Sequence, residues 1–467
     1  MRPILKKCAI YAKLTNNMLI YFFIIGLCIA LQAERGIFDF LSYLRLFKQL
    51  KNIKNGKNTN EKKPLYILIP VLREQPIIEE TILRFCKIKN RHFDLKIAIL
   101  TSIREVTDEP PTTEDVVVKS MEFGKLVPYR YSISIFRDTT VRGNMATQLN
   151  YAVDKIKSSG GPETLYIVYN ADSVISETTL EELWALLQTY SDKKFAFQQP
   201  CAFVRDMQPN SNQFTNAMSL YQSWYCLGHE SRIIRNYHKK FKHNRVEINN
   251  NKLGVVVGHG SGMTININTS NGGYPTDLLT EDLTFGFILS TRNVPILSLQ
   301  ALEIADVPNR FTIFIKQKSV WFWNFLGYAS CYKKMRKQGH KITQMVPLLV
   351  SGLAAGAYWF LDTFFIVVPL VLGVILKSYH VTLISILSFI SFYIIPQYFL
   401  KRNLPGVLEK QGFPEYAKNV RSVSFIKLLP SLCLIILTNS VGPWIATLGY
   451  INYIFGGGLP TKYKTGD

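Results

Sequence analysis

The chain of 467 residues carries 54 lysines and arginines against 33 aspartates and glutamates, a formal charge of +21. At roughly 100–200 residues per domain, this length holds one sizeable water-facing domain and leaves material for a second region. The cations border apolar runs, as at Lys48, Lys51, Lys54 and Lys57 or Lys333, Lys334, Arg336, Lys337 and Lys341, the build of a cytoplasmic membrane face, which speaks against nucleic acid as partner. The seven cysteines are scattered with no Cys-x-x-Cys pair, which excludes a disulfide framework and a structural zinc site.

In chain order, residues 1–50 read as a membrane anchor and interfacial segment. The apolar run 18–31 is short of the ~20 residues of a full span. No small-residue cleavage site follows it, and Glu34 and Arg35 come soon after, so an anchor helix is expected rather than a cleaved signal. Residues 60–335 alternate short β-rich runs with helical patterns, the signature of an α/β domain with a mostly parallel sheet. Strands are predicted over 65–71, 95–101, 132–136, 165–169 and 195–199, and crossover helices over 77–86, 145–156 and 179–190.

Residues 344–456 are expected to be transmembrane, with 457–467 as a tail. The run 346–376 has Asp362 as its only charge, and a second run covers 381–400. Both are long enough to span. A basic loop is expected over 401–427, on the same side as the α/β domain by the positive-inside rule. The last apolar run, 428–455, contains Gly442 and Pro443.

Asp172, in the run YNADS after the fourth predicted strand, stands where a carboxylate holds a divalent cation against a diphosphate, at the carboxyl end of a strand. The same placement suits a turn aspartate. Glu281 and Asp282 open a predicted helix in TEDLTFGF. One of the pair can take a proton from an acceptor hydroxyl and the other can cap the helix; both also read as caps. His259 lies between Gly258 and Gly260, where glycines admit close backbone approach to a sugar or diphosphate; a loop histidine satisfied by backbone is the alternative. Trp321 and Trp323 read as interfacial or core aromatics.

The order of motifs is more specific than any one of them. IPVLREQ, GNMATQLNYAV, YNADS, GHGSG, GGYPTDLLTED and QKSVWFW follow one another between residues 65 and 324. This succession resembles the membrane-bound family 2 glycosyltransferases of the GT-A fold, the group of cellulose and hyaluronan synthases. The resemblance implies a GT-A-like domain with flanking transmembrane helices. It implies transfer of a sugar, with inversion, from a nucleotide sugar, UDP-sugar favoured, to a saccharide or lipid-linked acceptor, with Mg²⁺ or Mn²⁺ as cofactor.

By position, it puts Pro70 and Glu74 at the nucleotide-binding edge and makes Asp172 the metal-linked carboxylate. Asp282 becomes the catalytic base, with Glu281 beside it, and His259 a donor contact. Gln317 and Trp321 line the acceptor and diphosphate region. A multi-pass protein of the plasma (inner) membrane, in contact with lipid and with its catalytic domain in the cytoplasm, is the expected setting. Three departures stand out. Asn170 replaces the first Asp of the metal motif, Val320 replaces the Arg of Gln-x-x-Arg-Trp, and Asn144 replaces a frequent Lys. Val320 weakens the expectation of processive polymer synthesis. Asn170 and Val320 together motivate an alternative, a catalytically weakened membrane protein that keeps the fold for binding or assembly.

Overall fold

The computed structural model describes residues 2–51, 62–105, 110–141, 143–190, 194–230, 260–277 and 281–455, the side chains of 2–17 and 19 excepted. A long helix α1 (Arg2–Leu50) precedes an α/β domain. The domain runs through β1 (Lys63–Pro70), α2 (Ile78–Cys86), β2 (Phe93–Ser102), α3 (Thr113–Phe123), β3 (Ile133–Asp138), α4 (Met145–Gly160), β4 (Leu165–Val168) and α5 (Glu177–Thr189). It continues with β5 (Ala196–Gln198), β6 (Cys201–Ala202), α6 (Gln213–Trp224) ending in a π-turn (Tyr225–Glu230), β7 (Ser261–Thr264) and α7 (Ile265–Ser270). It closes with α8 (Asp282–Thr291), β8 (Ile296–Ser298), β9 (Glu303–Ile304) and α9 (Phe311–Lys337).

Seven strands form one sheet in the order β3-β2-β1-β4-β7-β5-β8, and β6 and β9 pair separately. The sheet is parallel except at β7, which runs antiparallel to β4 and β5. The predicted strands and crossover helices are all present with ends within four residues of those expected.

The near-continuous apolar strands follow from burial on both faces. Alternate side chains of β1 point to opposite sides of the sheet. Leu65, Ile67 and Ile69 enter a core with Ile78, Ile82, Val117 and Leu183 of α2, α3 and α5. Tyr66 and Leu68 enter another with Leu149 and Val153 of α4 and Phe285 and Phe287 of α8. A third core joins α1, α6, β6 and β9 to the helices after α9.

Those helices are α10 (Ile342–Ile375), α11 (Tyr379–Phe389), a π-turn (Ile390–Ile394), α12 (Ile395–Lys410), α13 (Pro414–Ser422), α14 (Phe425–Leu437) and α15 (Val441–Ile454). Among the described residues, four helical stretches are long and apolar enough to cross a membrane: 20–50, 342–375, 379–410 and 425–454. Within the anchor segment expected over 1–50, the first apolar helix extends past residue 31 to Leu50. Arg35 pairs with Asp39 one turn on (3.6 Å) and with Asp362 of α10 (3.1 Å), so these charges are neutralised inside the helix bundle. One expectation is corrected: the basic stretch 401–427 is not a loop. The helix through α11 runs on to Lys410, and Pro414 at the first position starts α13. The last apolar run breaks at 438–440, just before Gly442 and Pro443.

Candidate active site

The chain lays β2 and β3 outward from β1, then returns to place β4 on the other side of β1. The crevice beyond the carboxyl ends of β1 and β4 is therefore a topological switch point, where open α/β sheets bind ligands. Pro70 ends β1 beside Leu100 of β2. In the loop that follows, Arg73 takes a left-handed φ of 60°, which a non-glycine residue adopts only when its surroundings impose it. They do so through the buried Glu105, whose carboxylate accepts the Arg73 backbone N–H and both the N–H (2.7 Å) and hydroxyl (3.1 Å) of Thr113. The Glu74 N–H donates to Thr113 Oγ1 (2.9 Å), and the Gln148 amide donates to the carbonyls of Val71 and Leu100 (both 3.0 Å). Glu74 is thus held at the rim of the crevice.

Asp172 lies just beyond β4, half-buried, in a turn closed by the Ser173 N–H on the Asn170 carbonyl (3.1 Å). Its Oδ2 accepts the backbone N–H of Asp306 (3.1 Å), and its carbonyl accepts Arg205 Nη1 (2.9 Å). The same guanidinium nitrogen meets Asp306 Oδ2 at 3.1 Å. Asp206, next to Arg205, brings a third carboxyl, raised by burial and then by the charge of Asp172 against the pull of Arg205. Burial, then the charge of Asp172 and to a lesser degree Asp206, push the Asp306 carboxyl up to about 8 against the pull of Arg205 and Arg84. The sequence reading missed Asp206 and Asp306. Each stands in a short irregular stretch after a two-residue strand; the β6–β9 pairing brings the two together, and the bridge between Val174 and Ile304 sets them beside Asp172.

Among the described residues no three His, Cys, Asp or Glu side chains form a self-sufficient metal cage. The carboxyl cluster nevertheless fits a hard divalent cation shared with a second anionic ligand. Its donors are oxygens, three carboxyls meet around the Arg205 guanidinium, and Asp306 Oδ1 is buried with no hydrogen-bond partner. Asp172 and Asp306 are the side chains that would hold such an ion.

His259 lies outside the described residues. Its neighbour Gly260 has a φ of 61°, and a Cβ there would sit 2.7 Å from both Gln199 Cβ and Glu303 Oε2. Only glycine fits. Glu303, fully buried, accepts the hydroxyl of Ser173, the residue after Asp172. The start of β7 is thereby locked to the turn that carries Asp172.

Glu281 and Asp282 open α8. Glu281 is buried at the N-cap position and its side chain makes no capping bond. Asp282 is half-buried, and its Oδ1 accepts the Leu283 N–H (2.7 Å) and the Asn324 amide of α9 (3.1 Å). Burial, with the charges of Glu281 and Asp282, raises the Tyr274 hydroxyl, which contacts the Tyr166 hydroxyl of β4 (3.2 Å). The acidic pair therefore shares an electrostatic environment with the central strand.

Gln317 and Trp321 lie one turn apart on α9, on the same helix face, and both are half-buried. Gln317 Oε1 has no partner. Val320 is buried, so the position of the missing arginine points into packing. Trp323 packs edge-on against Tyr450 and Tyr453 of α15, as expected of a core aromatic. Asn144 serves as N-cap of α4 in a reciprocal capping box with Thr147.

No protein-family model matches the chain. No curated protein matches it either. Among solved structures it is similar to the mannosyltransferase PcManGT from Pyrobaculum calidifontis in complex with GDP-Man and Mn²⁺, at 14% identity and a TM-score of 0.43, over 88% of this chain and 99% of that one. It is also similar to TarS 1–349 of S. aureus, at 14% identity and a TM-score of 0.36, over 84% and 92% of the two chains. A third is GalNAc-T7 with UDP, GalNAc and Mn²⁺, at 11% identity and a TM-score of 0.35, over 60% and 52%.

Proposed function

We propose that this protein transfers a sugar, with inversion, from a nucleotide-activated donor, UDP-sugar favoured, to a saccharide or lipid-linked acceptor at the membrane. The observation that carries the reading is the switch-point crevice, which has Pro70 and Glu74 at one strand end and the carboxyl cluster of Asp172, Asp206 and Asp306 at the other. An anionic diphosphate would not settle against these carboxyls unaided. A bound Mg²⁺ or Mn²⁺ would supply the positive charge that neutralises it as it leaves.

The chain's own residues do the rest. Glu105 and Thr113 hold the Glu74 loop against the nucleotide. Arg205 orients Asp172 and Asp306. Asp282, hydrogen-bonded by Asn324, takes the proton from the acceptor hydroxyl as the glycosidic bond forms, and Gln317 and Trp321 wall the acceptor side. The departure at Asn170 leaves Asp172 without its usual partner in sequence, and Asp306 takes that place in space.

A panel of nucleotide sugars screened for release of nucleoside diphosphate tests the reading. Release that requires Mg²⁺ or Mn²⁺ supports it. Binding of nucleoside diphosphate with no turnover of any donor favours a protein that keeps the fold for binding alone. We place the α/β domain and the basic stretch 401–427 on the cytoplasmic side, in a domain order of anchor 1–50, catalytic 60–335, transmembrane 344–456 and tail 457–467. A single cysteine introduced in 401–427 should resist an impermeant label applied to intact cells, and labelling from outside overturns the orientation.

A further inference from the structure

Lys318 is 1% exposed. Its Nζ donates to Gln222 Oε1 of α6 (2.8 Å). The nearest ring centroid is that of Trp321, one turn along α9, at 4.5 Å. Tyr225 of the π-turn follows at 5.3 Å, Trp359 of α10 at 5.5 Å, Tyr221 of α6 at 5.7 Å and Phe314 at 5.8 Å. On the remaining side α15 approaches so closely that a Cβ on Gly442 would lie 2.6 Å from Lys318 Cβ. An ammonium stripped of water needs compensating partners, and here one amide and five ring faces provide them in the manner of an aromatic cage. The charged or titratable groups that face it are Cys226 and Glu230 of the π-turn and Arg35 of α1.

We propose that Lys318 is a positioning residue of the transfer site, fixing the indole of Trp321 as the acceptor-side wall by a cation–π contact anchored on Gln222. This rests on the reading above, in which Trp321 borders the acceptor. The cation that the related motif carries next to its tryptophan is absent at Val320, and Lys318 brings a cation to the buried side of the same ring from one turn earlier. The lock spans the joint between the α/β domain and the membrane helices, because Gln222 and Trp359 belong to different sides of it.

The contact has a built-in readout. Burial lowers the Lys318 ammonium to about 7, with Cys226 and Glu230 opposing and Arg35 adding to the shift. The ammonium is present below that pH and lost above it, so the indole should loosen as pH rises through about 7.

The test uses the full chain in detergent. Tryptophan fluorescence of the wild type minus that of Trp321→Phe isolates the Trp321 signal, which should step with pH near 7. Lys318→Met should abolish the step, and Gln222→Leu should shift its midpoint in a helix that keeps the lysine. A step that persists in Lys318→Met, or its absence from the wild type, overturns the contact.

The functional arm measures UDP release from UDP-glucose with methyl glucoside as acceptor probe. Lys318→Met should raise the probe's KM roughly ten-fold, the scale of one desolvated cation–π contact, with kcat changed far less. Lys318→Arg should recover most of the loss. A fall in kcat alone, or no recovery by arginine, overturns the positioning role. No UDP release by the wild type counts against the transferase reading instead, and the fluorescence arm then decides on Lys318 by itself.

Discussion

Two charge clusters of this protein use similar groups for different ends. At the crevice, Asp172, Asp206 and Asp306 crowd around Arg205, the Asp306 proton is held tightly and its Oδ1 lacks a partner. In the helix bundle, the carboxylate of Asp362 is met by Arg35 (3.1 Å), the Tyr393 hydroxyl (2.9 Å) and the Asn439 amide (3.0 Å). The first cluster is half-buried and leaves one carboxyl oxygen without a hydrogen-bond partner. The second satisfies its carboxylate from α1, the π-turn before α12 and the break before α15, and so ties four stretches of chain together. An open carboxyl oxygen at a strand end suits the ligand site proposed above, whereas an ion-paired carboxylate between helices ties the bundle together.

Substitutions at the two clusters should therefore separate activity from stability. The largest effect is expected for Asp172→Ala, which should abolish nucleoside diphosphate release in any Mg²⁺ or Mn²⁺ concentration while leaving thermal unfolding nearly unchanged. Full wild-type activity in excess chelator would break the comparison at its first term.

Next in size is Asp282→Asn, which keeps shape and the Asn324 contact but cannot accept a proton. Removal of a general base lowers turnover by ~10²–10⁴-fold, and donor affinity measured on the same purified variant should hold. A loss of affinity large enough to explain the whole defect would make Asp282 structural.

The opposite pattern is expected in the bundle. Asp362→Ala leaves Arg35 buried with one carboxylate fewer, a loss on the order of 3–5 kcal/mol of stability. Unfolding in detergent should shift accordingly, and protein that remains folded should bind nucleoside diphosphate normally. Unchanged unfolding would mean that the ion pair is dispensable.

The smallest effect is a slope. The Asp306 carboxyl, raised to about 8 from a usual 3.8, binds its proton more tightly in the folded state than in the unfolded one. The folded state then holds more protons between those values, so metal-free protein should lose stability as pH rises from about 4 to about 8. Asp306→Asn should flatten that slope, and so should saturating Mg²⁺. An unaltered slope in the variant would assign the proton to another group.

The sequence alone determined the elements whose signal is local. A parallel strand buried on both faces must be apolar along its length, so β1, β2 and β4 are legible as runs, and a spanning helix declares itself by length and hydropathy. Asp172 was legible too, because a strand end followed by an aspartate is a local pattern, and so was the acidic start of α8. What surrounds them was not. Asp306 stands 134 residues from Asp172, and nothing near either residue records that β6 and β9 will pair. Arg35 and Asp362 are isolated charges in apolar stretches, and that each neutralises the other is visible only in the packed bundle. Lys318 carries no local mark of burial and is turned inward because α6, α10 and α15 close around it. Tertiary structure decided these points, since the energy of a buried charge depends on partners brought from distant parts of the chain and not on the residues beside it.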